Sequence, residues 1–174
     1  MSRFAYCMRK VLQEEGGVAD HEADKGKLTN HGVTTAAYER YRDSILQPRR
    51  SVTQIEQHEV EDIYYRYWQD CRADDLPAPL DLLVFDCAIN SGPGKSISLL
   101  QRVFGLPEVG MLGPLTRDAV SRVVQDGEVI DLCERYIKER RQFYRNRVAL
   151  DKTQEVFFAG WNNRLDHMAK ELEA

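Results

Sequence analysis

The most apolar stretch of the chain, residues 77–90, constrains the fold more than any other feature. Its polar interruptions are Asp81, Asp86 and Cys87, and it is shorter than the eighteen or more uncharged apolar residues that a membrane span needs. We therefore expect a helix that is buried on most sides and is broken by the glycine-proline segment 91–94. Its apolar members are Leu80, Leu82, Leu83, Val84, Phe85, Ala88 and Ile89.

Helical periodicity recurs along the rest of the chain. The first segment has one apolar face, and Gly16-Gly17 should end its helix because glycine readily adopts the left-handed conformation of a C-terminal cap. Residues 53–56 match a capping box and should open another helix. Candidate strands are limited to short pieces near Val18 and Gly32-Val33. The sequence therefore predicts a mainly α fold with a minor hairpin. The first apolar face comprises Phe4, Cys7, Met8, Val11 and Leu12, and further helices are predicted over residues 34–46, 53–71, 96–104, 115–125, 128–148 and 153–172.

The length and charge of the chain limit its domains and partners. With 174 residues it can form one domain or two small ones, with a candidate boundary at residues 91–95. A net charge of −4 disfavours general attraction to nucleic acid or anionic membranes. The basic clusters at 48–50 and 138–147 are expected to be solvated faces. We expect neither a nucleic-acid partner nor membrane insertion.

The N-terminus and the cysteines indicate the compartment. Basic residues interrupt the apolar positions of residues 1–13, whereas a secretory signal has a continuous apolar stretch. We therefore expect the chain to stay in the cytoplasm in which it is made, and its export to need a partner. The cysteines form no CxxC pair and are expected to be reduced core thiols. They are Cys7, Cys71, Cys87 and Cys133.

Glu15 occupies a position that helix electrostatics disfavours for a carboxylate. The end of a helix carries the negative pole of its dipole, and Glu14 adds like-charge repulsion. Both effects raise the pKa of a carboxyl group, and a proton held near neutral pH is what a general acid needs. The alternative is that Glu15 simply precedes a glycine cap on an exposed helix end, and position alone favours that alternative.

The polar loop after Glu15 supplies candidates for a second catalytic group. Asp20, Glu22 and Asp24 lie within nine residues of Glu15, and Thr29 follows five residues after Asp24. Glycoside hydrolysis needs a proton donor and a group that stabilises the oxocarbenium-like centre or activates water. The alternatives are a solvated connection, or a metal site built from His21, Glu22, Asp24 and His31. That spacing matches no zinc or calcium signature, so we expect no metal and no cofactor.

The same residues carry a family resemblance. Residues 11–17 read VLQEEGG and residues 24–34 read DKGKLTNHGVT, which resembles the opening pattern of glycoside hydrolase family 108. Later segments resemble its remaining motifs in the same order, with departures at Val18, Lys27 and Gly110-Met111. These segments are IYYRYW at 63–68, LVFDCAINSG at 83–92, LLQ at 99–101 with GMLGPLT at 110–116, and GWNNR at 160–164.

The resemblance implies a lysozyme-like helical fold and assigns the site. It implies that Glu15 is the catalytic acid, and the spacing to Asp24 and Thr29 is similar to the Glu, Asp, Thr set of the smaller phage lysozymes. Substrate-binding roles are expected for Asn30, Trp68 and Asn90. Each has a structural alternative, because an aromatic stripe at helical spacing is more often core and a polar residue on an apolar helix needs partners of its own.

The leading hypothesis is an endolysin that cleaves the β-1,4 bond between N-acetylmuramic acid and N-acetylglucosamine. The resemblance implies a catalytic half at 1–92 and a predicted peptidoglycan-binding half at 93–174, which we expect to pack as one monomeric body. Such an enzyme would await release in the host cytoplasm, with a holin as release partner, and then act on the cell wall. The alternatives are a lytic transglycosylase acting on the same bond and a non-catalytic peptidoglycan-binding or phage structural protein. Inversion or retention depends on the carboxylate separation.

Overall fold

The computed structural model describes residues 1–14 and 28–172, and this part of the chain is mainly helical with one two-stranded antiparallel sheet. The predicted mainly α, lysozyme-like fold with a minor hairpin is confirmed. The α-helices are α1 (Arg3–Glu14), α2 (Thr35–Ser44), α3 (Gln57–Asp70), α4 (Leu80–Ser91), α5 (Pro93–Val103), α6 (Pro114–Asp126), α7 (Val129–Leu150) and α8 (Glu155–Lys170); the strands are β1 (Thr29–Asn30) and β2 (Val33–Thr34); 3₁₀ helices cover Val52–Gln54, Ala73–Asp75 and Lys152–Gln154.

Packing divides the chain into two units, Met1–Arg66 and Tyr67–Ala174. A packing unit is not a functional domain, so the expected division at residue 92 stays a prediction. In the first unit α1 buries the face that the sequence predicts, with Cys7, Met8 and Val11 inside. The helix stop at Gly16-Gly17 and the candidate strand near Val18 lie outside the described residues.

The hairpin of the first unit turns through two residues with positive φ. His31 and Gly32 have φ values of 49° and 72°, between the pairs Thr29–Thr34 and Asn30–Val33. Two such residues in a two-residue loop match the twist of antiparallel strands. The hairpin runs directly into α2, because the Thr34 side chain accepts a hydrogen bond from the Ala37 backbone N–H at 3.2 Å.

The predicted capping box at Thr53–Glu56 is wrong by three residues. Thr53 instead hydrogen-bonds Ser51 at the start of a 3₁₀ helix, and α3 begins at Gln57. The Glu59 carboxylate reaches back to the Glu56 backbone N–H at 3.0 Å, so Glu56 holds the N-cap position and Glu59 the third helical position. The motif missed the true start because the chain makes a 3₁₀ turn first.

Helix α4 forms the centre of the second unit. It packs against α5 and α7, and α7 also contacts α6 and α8. The burial predicted for this apolar stretch is confirmed, since every residue from Leu80 to Ala88 is buried. The later helices start earlier or later than predicted by up to three residues. Prolines open α5 and α6, and a 3₁₀ turn capped by Asp151 delays α8 to Glu155.

All four cysteines are buried and free, as predicted. Burial raises the pKa of Cys71 and of Cys133 to about 12, so these thiols stay protonated at neutral pH. Among the described helices, none combines the length and apolarity that crossing a membrane requires.

Candidate active site

The proposed catalytic acid and its carboxylate partner fall outside the described part of the chain. Glu15 and Asp24 lie between the described ranges, as do the alternatives Asp20 and Glu22. The structure does describe the two elements that flank them in sequence, α1 before and β1 after. Thr29 opens β1, is half-buried, and pairs with Thr34 in the ladder.

Asn30 is fixed by the protein itself. The residue is 7% exposed, and its side-chain Nδ2 donates to the Val52 carbonyl oxygen at 3.3 Å. This bond ties the hairpin to the 3₁₀ helix at residues 52–54. The geometry therefore gives the Asn30 amide a structural task, and its substrate-binding role stays a prediction.

A buried carboxylate, Glu59, organises the segment that carries Val52. It accepts hydrogen bonds from the Tyr38 hydroxyl at 2.7 Å, Arg42 Nη1 at 2.8 Å and Arg50 Nη2 at 2.7 Å. Burial favours the neutral acid, but these donors and the Glu56 backbone N–H outweigh it and lower the pKa of Glu59 to about 2. A charged carboxylate with four donors is well satisfied in the interior, so we interpret it as a structural anchor.

The basic residues around 48–50 also depart from the expected solvated face. Arg49 is exposed, as predicted, and pairs with Asp43, but Arg50 bonds the buried Glu59. The sequence signal for this contact was weak, because the two residues lie on either side of the unpredicted 3₁₀ helix.

In the second unit, Trp68 belongs to the core. It is 1% exposed and meets Phe85 edge-on, with ring centroids 5.2 Å apart. The indole therefore has no exposed face on which a sugar could stack. This favours the core alternative over the expected substrate-binding role. Asn90 is half-buried, and its Nδ2 donates to the Asp86 carbonyl oxygen at 2.9 Å, one turn earlier on α4.

Asp86 has partners that the sequence did not identify. Its carboxylate is fully buried between Arg164, with Nε at 2.8 Å, and Arg140, with Nη2 at 2.8 Å. Burial opposes its ionisation, but the two guanidinium groups prevail and lower the pKa of Asp86. The expectation that residues 138–147 form a solvated face is wrong at Arg140, which is fully buried, because this residue faces the carboxylate on α4. The polar interruption at Asp86 was the signal available in the sequence.

The closing motif GWNNR gains a physical meaning from this cluster. Trp161 and Arg164 lie one turn apart on α8, so they share a face. Trp161 stacks on Tyr144 of α7 with centroids 4.9 Å apart, while Arg164 bonds Asp86 of α4. Trp161 therefore packs the last helix against α7.

The LLQ and GMLGPLT segments form one loop framework. The Gln101 side chain donates to the Met111 carbonyl and to Thr116 Oγ1, and accepts from the Gly110 backbone N–H at 3.0 Å. Gly110 has a φ of 72°, and a Cβ there would lie 3.0 Å from the Gly94 carbonyl oxygen. Glycine is therefore required at this position. A cavity of about 250 Å³ lies beside the loop, with Met111 70% exposed at its rim.

Within residues 1–14 and 28–172, no three His, Cys, Asp or Glu side chains are grouped so that they could hold a metal ion. Of the alternative metal ligands that the sequence offered, His21, Glu22 and Asp24 lie outside these ranges, and His31 lies in the turn of the hairpin.

Comparisons with known proteins identify the family. The family model described as Glycosyl hydrolase 108 matches residues 8–92, and the one described as Predicted Peptidoglycan domain matches residues 95–166. The solved structure of Brucella abortus SagA matches with a TM-score of 0.82 and 29% sequence identity, covering 98% of this chain and 93% of that one. A comparison with curated proteins gave no match.

The first family match spans every residue predicted for catalysis or substrate binding, and the second spans the loop framework around Gln101. Through residues 8–92 the chain belongs to glycosyl hydrolase family 108, and with its predicted peptidoglycan domain at residues 95–166 it is a peptidoglycan hydrolase.

Proposed function

We propose that the chain is an N-acetylmuramidase, which hydrolyses the β-1,4 bond between N-acetylmuramic acid and N-acetylglucosamine. The observation that carries the proposal is the family match over residues 8–92, which includes the EGG segment with Glu15 and the hairpin with Thr29. The match to a peptidoglycan domain over residues 95–166 supports the same polymer as substrate.

In the proposed reaction Glu15 donates its proton to the glycosidic oxygen while the bond from that oxygen to C1 breaks. The positive charge that develops at C1 needs a partner on the opposite face of the sugar. Asp24, or a water held with the Thr29 hydroxyl, takes that role. Water supplies the hydroxyl group at C1, and its remaining proton passes to the basic carboxylate.

We further propose that the enzyme is an endolysin of a bacteriophage and works as a monomer. It would remain in the host cytoplasm until a holin opens the membrane, and would then reach the cell wall. Expression in a Gram-negative host tests this order of events. We expect cells to stay intact until a membrane-permeabilising agent is added and to lyse within minutes afterwards, whereas lysis without the agent would contradict the holin requirement.

The catalytic assignment is tested by turbidity loss of outer-membrane-permeabilised Gram-negative cells. Wild type should clear the suspension, and Glu15→Gln should not, because an amide cannot donate the proton to the departing oxygen. Glu61→Gln is the matched control: it also removes one carboxylate, from an exposed position on α3, and should clear like wild type. Equal clearing by wild type and Glu15→Gln would refute the assignment.

Mass spectrometry of the released muropeptides identifies the reaction. A muramidase product carries one added water and ends in a reducing N-acetylmuramic acid. A lytic transglycosylase leaves an anhydro sugar without the added water. A product of that mass would therefore identify the enzyme as a lytic transglycosylase and not as a hydrolase.

Three single variants identify the second group. Asp20→Asn, Glu22→Gln and Asp24→Asn each remove one candidate carboxylate, and we expect only Asp24→Asn to lower kcat, by roughly 10²-fold or more. A larger loss in either of the other two would transfer the role to that residue.

Binding without cleavage is the remaining alternative. Purified sacculi incubated with wild type should release soluble fragments, while Glu15→Gln should be retained without releasing any. Retention of wild type with no soluble product would make the chain a non-catalytic binding protein.

A further inference from the structure

The tip of the hairpin is held by a side chain from a helix more than thirty residues further along the chain. The hydroxyl of Tyr64 on α3 donates to the His31 carbonyl oxygen at 2.7 Å. The tyrosine itself is buried and His31 is exposed, so the part-buried bond connects the core to the turn at the surface. A backbone carbonyl at a turn is thereby fixed to a rigid element.

The hairpin needs such support because it is very short. Its ladder has two residue pairs, and an isolated two-stranded hairpin is at best marginally stable. Side-chain bonds also hold the strands. Asn30, next to the turn, donates to the Val52 carbonyl oxygen, and Thr35 Oγ1 donates to the Leu28 carbonyl oxygen at 3.0 Å at the open end of the hairpin. The bond from Tyr64 restrains the turn itself.

The turn controls the direction of Thr29. In a strand, successive side chains point to opposite faces. Asn30 and Val33 are buried on the inner face, so Thr29 belongs to the other face of β1. A shift of the tip therefore changes the position of the Thr29 hydroxyl.

We propose that Tyr64 is a positioning residue for the reaction: by holding the His31 carbonyl it fixes the hairpin and aims the Thr29 hydroxyl. This inference rests on the proposed function, in which Thr29 helps to hold the attacking water. In this role Tyr64 acts through the hairpin, by way of its bond to the His31 carbonyl oxygen. Tyr64 lies in the IYYRYW segment, which is one of the segments that carry the family resemblance.

The test begins with Tyr64→Phe, which keeps the ring and removes the hydroxyl. We expect kcat on soluble glycan fragments of peptidoglycan to fall by about tenfold with KM within about twofold, because small displacements of a catalytic group are costly. Tyr136→Phe is the control. It also removes a bond from a tyrosine hydroxyl to a backbone carbonyl, here the fully buried one from Tyr136 to Ser96 at 3.0 Å in the second unit, and should lower Tm at least as much with kcat unchanged.

A double-mutant cycle separates positioning from a general loss of stability. Thr29→Ala alone should lower kcat, and adding Tyr64→Phe in that background should lower it no further, although Tm still falls. Should Tyr64→Phe prove too unstable at the assay temperature, the same cycle is measured at a lower temperature, below the Tm of the variant, with the same expectation.

Three results would overturn the role of Tyr64: wild-type kcat in the first variant, equal kcat losses in both backgrounds, or no effect of Thr29→Ala. Glu15→Gln is assayed alongside. If it is inactive while the cycle fails, the proposed function stands and only the positioning role is lost; if it is active, the proposed function itself fails.

Discussion

Arg164 Nε donates to Asp86 Oδ1 over 2.8 Å, although 78 positions separate the two residues. The bond joins α8 to α4, and Arg140 of α7 binds the other carboxylate oxygen. One buried carboxylate is therefore shared by two guanidinium groups and connects three helices. Removing the carboxylate leaves both positive charges in the interior.

Asp86→Asn should destabilise the second unit by about 3–5 kcal/mol, the usual cost of breaking a buried ion pair from one side. Urea unfolding followed by circular dichroism measures the change. Asp43→Asn is the control, because it removes a partner of Arg49 in an exposed pair that solvent screens, and it should change the stability far less. Similar losses in the two variants would mean that the buried cluster contributes no more than a surface pair.

Glu59 should make the stability of the first unit sensitive to acid. Its folded pKa of about 2 lies below the ordinary value of 4.5, so the carboxylate stabilises the fold above pH 4.5. That contribution, of the order of 3 kcal/mol, is lost as pH falls from about 4.5 through 2.

Thermal unfolding of wild type and Glu59→Gln across this pH range measures the effect. Wild type should lose stability steeply, and the variant should start lower and change less. Glu39→Gln, on the exposed side of α2, should show the same dependence of Tm on pH as wild type. If Tm of Glu59→Gln depended on pH as strongly as that of wild type, the acid sensitivity would come from other groups.

The cysteines should be unreactive in the folded protein. All four are buried, and the raised pKa values of Cys71 and Cys133 leave very little thiolate at neutral pH. A chromogenic disulfide reagent should label none within an hour in buffer and all four in denaturant. Dithiothreitol should leave activity unchanged, and rapid native labelling would show that a thiol is accessible.

Trp68→Leu should lower stability and spare substrate binding. The indole is enclosed and contacts Phe85, so truncation leaves a cavity that costs about 2–4 kcal/mol. We expect Tm to fall while KM for soluble glycan fragments stays within about twofold. A raised KM at unchanged Tm would instead support the substrate-binding role that was expected for Trp68 from the sequence.

Most of the helical fold could be predicted because helical periodicity is a local property. The buried stretch at residues 77–90 and the apolar face of α1 follow from side-chain spacing alone. The start of α3 could not be predicted in this way, because the 3₁₀ helix at Val52–Gln54 moves the cap to Glu56. Both Thr53 and Glu56 could cap a helix, and tertiary packing determines which of the two does so.

The candidate site, too, could be predicted only in part from the sequence. The sequence selected Glu15, Asp24 and Thr29 through charge, spacing and family pattern. It did not find Tyr64 or Glu59 as supports of the hairpin region, because their partners lie at His31 and Tyr38, more than twenty positions away. No short pattern records such pairings.

The sequence by itself determined the helical class, the family pattern and the Glu-Gly-Gly segment that bears Glu15, because these depend on residue type and spacing. Tertiary structure alone decided that Arg140 is buried, that Trp68 is enclosed, and that Asp86 unites three helices. Burial and charge pairing depend on which residues meet in space. A basic residue on a helix is solvated or enclosed according to the neighbour that folding brings to it.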